Sequence, residues 1–496
     1  MMSNKILWTP SKQRMEAAQL TKFMNRLNAE YGTSLENFDD IHAFSVNEAE
    51  KFWSSFWDFA NIKARIKGDV IIQDADKIPG ARFFPQSRLN FAENLLVRDD
   101  DTPAMIFRGE DKVEKTVTWH ELNQKVSQIS QAFAAIGLAA TDRVCAVVPN
   151  LPETIMTFAA AASIGATWSS CSPDFGERGI LDRFGQIEPK VLVVCDGYYY
   201  NGKTLDISEK IASVLAQLPS IEKVVVIDYI GIADEVAARL PNAVTLDQFI
   251  AGFTPGPIDF AQLPFDHPLY ILFSSGTTGI PKCIVHRAGG ILLKHLSEHQ
   301  LHSDLKPGDK LFYFTTCGWM MWNWLVTGLA SGATLLLFDG SPFYPSEQVL
   351  FDFADDKEMT VFGTSAKFID AVKKTGWRPC ETHDLSSVQT MMSTGSPLVA
   401  ESFEFVYDSI KSDIHLASIS GGTDLCGGLV NGNPLGPVWS GEIQALGLGT
   451  DIAVFDDDGN RIVGEKGELV CCNAFPTIPL KFWNDPGDKK FHEAYF

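Results

Sequence analysis

The period of the apolar and polar positions changes twice along this 496-residue chain. Up to about residue 85 the spacing is helical. Phe52, Trp53, Phe56, Trp57 and Phe59 recur at three- and four-residue offsets and predict one apolar helical face packed on the main body. Pro79-Gly80 and Pro85 interrupt that pattern. From about residue 100 short apolar runs alternate with amphipathic stretches. Strands are predicted over 104–107, 144–148, 191–194 and 224–227. A helix is predicted over 118–136, with Thr118 as N-cap, Glu121 three residues on and Gly137 at its end. Another, rich in alanine, covers 152–164 and stops at Gly165. The loop-rich segment 230–267, with Pro255, Pro257 and Pro264, leads into further strands over 311–314, 334–338, 360–362, 388–393 and 414–419. From about residue 435 the pattern becomes β-like with glycine punctuation. Residues 451–463 read as a hairpin turning at Asp457–Asn460, and 468–472 as a further strand.

This alternation predicts an α/β protein with two helix-flanked, largely parallel sheets and a small β-barrel-like unit. The expected divisions are a helical extension over 1–85, α/β subdomains over 86–265 and 266–434, and the β-rich unit over 435–496.

Composition narrows the function. Hydrophobic content of 45% and charged content of 21% suit a soluble globular protein. A net charge of -21 argues against nucleic acid, whose phosphates demand a basic face. Anionic substrates would need local cations and Mg²⁺ to overcome that field. No apolar run is long enough for a membrane span. The basic N-terminus lacks the apolar core of a secretory signal. The nine cysteines are scattered, with Cys471-Cys472 adjacent and no CxxC pair, so reduced thiols in a cytoplasm are expected rather than zinc or disulfides.

Four segments carry candidate chemistry. An apolar run over 269–273 breaks into Ser274-Ser275-Gly276-Thr277-Thr278-Gly279, then Pro281 and Lys282. Glycines let backbone N–H groups approach closely, hydroxyls add donors and the lysine adds charge, a set that wraps a polyphosphate. It is not the Walker loop: the glycine-to-lysine spacing differs, and Cys283 stands where that motif needs Ser or Thr. The second segment is Ser418-Ile419-Ser420-Gly421-Gly422-Thr423-Asp424. Its glycines leave room for a flat base, Thr423 offers a donor and Asp424 a hard oxygen for Mg²⁺. The third, Thr394-Gly395-Ser396-Pro397, is a turn after a strand. The fourth runs from Cys317 to Trp324 (CGWMMWNW), and Trp/Met clusters of this kind usually pack cores. His286 has no nucleophile motif beside it and reads as structural.

Taken together these strings resemble the adenylate-forming superfamily of acyl-CoA synthetases, peptide-synthetase adenylation domains and beetle luciferases, over almost the whole chain. The resemblance implies ATP-dependent ligation of a short-chain acid to coenzyme A through an acyl-AMP intermediate, with ATP, Mg²⁺ and coenzyme A taking part and no nucleic acid or membrane partner. Ser274, Ser275, Gly276, Thr277, Thr278, Gly279 and Lys282 would bind the nucleotide phosphates. Thr423 and Lys282 would be catalytic, and Asp424, where the family usually has Glu, would hold the metal. Gly395, Ser396, Pro397, Ser420, Gly421 and Gly422 would contact adenine, with Ser396 replacing a glutamate. Trp319, Met320, Met321, Thr394 and Gly421 would line the acyl pocket.

The extension and the GWMMWNW segment are most similar to acetoacetate-activating members. Gly421 stands where acetate-activating relatives carry a tryptophan, which implies a wider pocket suited to acetoacetate. The sequence stops at Phe496, ahead of the family's ribose-holding aspartate and lysine-bearing C-terminal domain, so a large core that binds nucleotide but turns over poorly is expected. Acetate, propionate or butyrate ligases and a non-catalytic nucleotide-binding module are the alternatives.

Overall fold

The computed structural model describes residues 5–274 and 279–496. Strands β1 (Pro103–Gly109) and β2 (Val113–Thr118) form an antiparallel hairpin. Next come β3 (Arg143–Val147), β4 (Thr167–Cys171), β5 (Val191–Cys195), β6 (Lys223–Ile227) and β7 (Ala243–Thr245). The pair β8 (Pro268–Ser274) and β9 (Lys282–Arg287) flanks the phosphate-loop sequence. Then follow β10 (Lys310–Tyr313), β11 (Thr334–Asp339), β12 (Val361–Ser365), β13 (Thr390–Thr394) and β14 (His415–Ser418). Shorter strands complete the chain: β15 (Ser420–Gly422), β16 (Gly427–Asn431), β17 (Ile452–Phe455), β18 (Arg461–Ile462), β19 (Glu468–Cys471) and β20 (Lys481–Phe482).

One sheet has the order β7-β6-β5-β3-β4-β8-β9-β20. It is parallel from β7 to β8 and antiparallel beyond. The other runs β14-β13-β12-β10-β11-β1-β2, parallel except for the last pair. Helices cover both faces of such sheets, which is why β5 (VLVVC) is apolar without alternation and buried at every position. Sheet membership crosses residue 265. The early β1–β2 hairpin completes the second sheet, whereas β8 and β9 extend the first. The β-rich segment forms short three-stranded antiparallel sheets rather than one closed unit; β18, β17 and β19 make one of them. Strands of two to four residues leave no length to wrap around an interior. The turn between β17 and β18 is held by Asp456, whose carboxylate accepts from the N–H groups of Asp458 and Asn460, with Gly459 at φ +79°.

Helices α1 (Gln19–Tyr31), α2 (Phe38–Asn47) and α3 (Ala49–Phe59) make up the extension. Phe52, Trp53 and Phe56 are fully buried, and Phe23 meets Phe52 and Phe56 edge-on at 5.5 Å. The extension is tied to the body: Gly449 N–H donates to Ser45 Oγ at 2.8 Å, and His42 Nε2 lies 3.0 Å from the Thr450 carbonyl. Helix α4 (Trp119–Ala135) opens with a reciprocal capping box between Thr118 and Glu121. Helix α5 (Pro152–Ile164) ends at Gly165 in the left-handed conformation. Helices α6 (Ala288–Ser297) and α7 (Met320–Thr327) are buried along their whole length, and a short α8 (Lys489–Tyr495) lies at the end of the described chain. Among the described residues no helix is long and apolar enough to cross a membrane.

Candidate active site

Strands β13 and β14 are parallel neighbours, with Ser393 opposite Ser418. The two turns that leave their carboxyl ends therefore emerge side by side, where open α/β sheets bind ligands. Thr394 Oγ1 donates to the Ile419 carbonyl at 2.8 Å and stitches those turns together. Between them and the N-terminal end of α7 lies a cavity of about 360 Å³. Thr394, Gly395, Ser396 and Pro397 line one side, and Ser420, Gly421, Gly422 and Thr423 another. Trp319, Met320 and Met321 close it. A Cβ on Gly395, which sits at φ +89°, would lie 3.6 Å from the indole of Trp319, so the turn rests on that ring. Three segments spread over about a hundred residues of sequence thus share one pocket.

The phosphate-side groups stand apart from that lining. Ser274 ends β8, half-buried, opposite Lys282 at the start of β9. Ser275, Gly276, Thr277 and Thr278 lie outside the described residues. Gly279 is exposed at φ +83°. Asp424, half-buried, directly follows the cavity-lining Thr423. Tyr495 of α8 joins the two charges. Its hydroxyl donates to Asp424 Oδ1, and its ring centroid lies 5.5 Å from Lys282 Nζ. Phe482 on β20 supports the same ammonium at 5.8 Å and packs edge-on against Tyr495 at 5.6 Å. Strand β20 pairs with β9, Phe482 facing Ile284, so the segment that carries Tyr495 is docked on the strand that carries Lys282. His286, on the same strand, is buried, and burial lowers its imidazole to about 3, in keeping with a structural role.

Trp324, from the Trp/Met segment, and Glu298, Gly427, Gly428 and Ile443, unremarked in the sequence, complete the cavity. The signal for Glu298 was slight: Lys294 and Glu298 stand at i,i+4 in a run that also carries His295, Ser297 and His299. Tyr495 had no local signal; only the docking of β20 and α8 brings it 71 residues back to Asp424.

Gly421 lines the cavity and also lies close against the neighbouring strand. A Cβ there would sit 1.9 Å from the Gly427 carbonyl oxygen and 2.8 Å from Gly428 Cα. The close approach of β15 and β16 calls for glycine at this position, besides its place in the cavity lining.

A magnesium ion asks for one or two carboxylates and takes its remaining oxygens from phosphates and water. Asp424, one carboxylate next to Thr423 with its Oδ2 outside the Tyr495 hydrogen bond, fits that demand. Among the described residues no cluster of three or more His, Cys, Asp or Glu forms an all-protein metal cage.

Comparison with known proteins agrees with this geometry. A family profile described as AMP-binding enzyme matches residues 92–474. The acetoacetyl-coenzyme A synthetase of Rhizobium meliloti (strain 1021) is 54% identical over 496 residues, spanning all of this chain and 76% of that protein. The acetoacetyl-CoA synthetase of Xenopus tropicalis is 43% identical over 504 residues, again covering the whole chain and 75% of the relative. The solved structure of the acetoacetyl-CoA synthetase from Streptomyces lividans superimposes with a TM-score of 0.94 at 38% identity, over 99% of this chain and 76% of that one. The chain belongs to the AMP-binding enzymes, the ATP- and Mg²⁺-using acid–CoA ligases, in their acetoacetyl-CoA synthetase branch.

Proposed function

We infer that this protein ligates acetoacetate to coenzyme A in two steps. The acid's carboxylate attacks the α-phosphorus of ATP, forming the acyl–AMP mixed anhydride and expelling pyrophosphate. The thiol of coenzyme A then attacks the acyl carbon, forming the thioester and releasing AMP. The observation that carries this reading is the single cavity in which the Thr394–Pro397 turn, the Ser418–Thr423 turn and the Trp319–Met321 wall converge. An acyl-adenylate needs its base, phosphate and acyl group within one pocket, and these walls offer glycine backbone, hydroxyl donors and apolar side chains in adjoining patches.

The protein's contribution is positioning and charge neutralisation. Thr423 donates to the α-phosphate oxygens. Lys282 and Ser274, with Ser275, Gly276, Thr277 and Thr278, hold the departing pyrophosphate against a protein of net charge -21. Asp424 holds the magnesium ion, which supplies charge neutralisation at the phosphates. The Gly395–Pro397 turn and Ser420–Gly422 flank adenine, while Trp319, Met320 and Met321 exclude water from the acyl end. Met320 and Met321 are nearly buried and supply a wall that adapts to its occupant.

Acid-dependent exchange of pyrophosphate into ATP tests the first step, and thioester formation with coenzyme A tests the second. Acetoacetate should support exchange better than acetate, propionate or butyrate. Exchange that is independent of any acid, or that is strongest with acetate, would contradict the assignment.

A further inference from the structure

The cavity grades from a buried wall to an open mouth. Met320, Met321 and Trp324 on α7 are buried, whereas Gly395, Pro397, Ser420 and Gly421 at the two turns are exposed. One large aliphatic residue belongs to the open end. Ile443 lines the cavity and is 38% exposed, more open than Ile419 or either methionine of the lining.

That exposure does not come from a loose segment. The next residue, Gln444, is pinned by its own side-chain amide. Its Oε1 accepts from the Asn433 N–H at 3.0 Å and lies 2.8 Å from His415 Nε2. Its Nε2 stands 3.0 Å from the Asn433 carbonyl oxygen and 3.2 Å from those of Gly436 and Pro437. Ala445 and Leu446 then pair with Asn431 and Val430 of β16, the partner strand of β15. On the other side Gly441, at φ +78°, packs on Ala400, whose Cβ a Cβ there would meet at 3.4 Å. Ala400 opens the helix that follows the Thr394–Pro397 turn. The segment carrying Ile443 is therefore anchored to both turns that form the mouth.

A lone isoleucine on an open surface is ordinary. Fixed at the mouth of a cavity, beside bare glycine backbone, it offers apolar area that a ligand can cover. The phosphate, ribose and carboxyl carbon of an acyl-adenylate are polar, and its short acyl chain belongs with the buried Met/Trp wall. The flat face of the base is the apolar part left for the mouth.

Resting on the reading above, we propose that Ile443 is a base-binding residue: it covers one face of adenine at the cavity mouth, where Gly395–Pro397 and Ser420–Gly422 flank the ring. The contact is made alike with ATP, acyl-adenylate and AMP, so it sets affinity for the nucleotide and leaves the chemical step unchanged.

Pyrophosphate exchange by Ile443→Ala tests this, with KM measured separately for ATP, pyrophosphate and acetoacetate. KM for ATP should rise about five- to twentyfold, while kcat and the other two KM values stay within about twofold of those of the unmutated protein. Calorimetric titration with AMP should show the same loss of affinity. Ile443→Leu, which keeps the apolar area, should return KM for ATP to within about threefold. A KM for ATP within about twofold in the alanine variant would overturn the proposal. So would a parallel rise in all three KM values, because Ile443 would then shape the cavity as a whole rather than meet the base. Absence of exchange with every acid would overturn the proposed function itself, an outcome distinct from these because it appears before any substitution is made.

Discussion

The two halves of the candidate site are built in opposite ways. The base and acyl side is made of interlocked backbone: β13 and β14 in register, the Thr394–Ile419 hydrogen bond, and glycines pressed against neighbouring segments. The phosphate side is half-exposed and charged, and among the described residues Lys282 and Asp424 are joined through Tyr495 on the last helix. Recognition of a flat base and a small acid needs shape, which close packing provides. Handling polyphosphate needs charges that exchange partners as pyrophosphate forms and leaves, which a partly hydrated surface allows. Changes on the buried side should therefore cost stability and selectivity, and changes on the phosphate side should cost rate while leaving the fold intact.

The largest expected effect is on the buried side. His286, His295, His302 and His415 are lowered by burial to about 3, 4, 3 and 4 respectively. In the unfolded chain each binds its proton near pH 6.5. Between that pH and the folded values the unfolded state carries more protons, so stability is full above about pH 6.5 and falls as the pH drops toward 4. Each histidine inside the window contributes about 1.4 kcal/mol per pH unit. Denaturant midpoints at pH 7 and pH 5 should differ clearly, and equal midpoints would show these imidazoles to be solvated.

On the other side, Lys282→Ala should lower acid-dependent exchange by about a hundred- to a thousandfold with little change in melting temperature. Loss of folding instead would erase the contrast between the two halves.

Gly421→Ala comes next. Its Cβ meets backbone atoms of β16, so destabilisation of about 2–3 kcal/mol is expected, with the surviving folded fraction keeping its preference among acids. A stable variant switched toward acetate would show that the space at Gly421, and not its contact with β16, governs the choice of acid. Smallest is Tyr495→Phe, which keeps the ring beside Lys282 and removes the hydroxyl from Asp424. Its expected effect is a rise of about two- to tenfold in the Mg²⁺ concentration for half-maximal exchange, at unchanged KM for the acid. Proportional changes in both would assign Tyr495 to general packing.

Local chemistry was legible in the sequence. The capping box at Thr118 and Glu121, the turn at Asp457–Asn460 and the strand-to-turn strings around Thr394 and Ser420 depend on residues within a few positions of one another, and each forms where the pattern placed it. What was not legible depends on distant partners. The swap of β1–β2 and β8–β9 between sheets follows from pairings more than a hundred residues apart, which periodicity does not encode. The close contact of Gly421 is set by the approach of β16, not by the string Ser418–Asp424 itself. For Glu298 the sequence carried only its i,i+4 spacing from Lys294, and its place at the cavity comes from Trp324 and Gly428.

The central claim is that base, phosphate and acyl group share one cavity. Calorimetric titration with AMP esters of graded acyl length tests it most directly. The account predicts affinity that rises from AMP through the two-carbon ester to a maximum near four carbons, then falls as the roughly 360 Å³ space is exceeded. Affinity equal to that of AMP alone at every chain length would place the acyl group elsewhere and contradict the account.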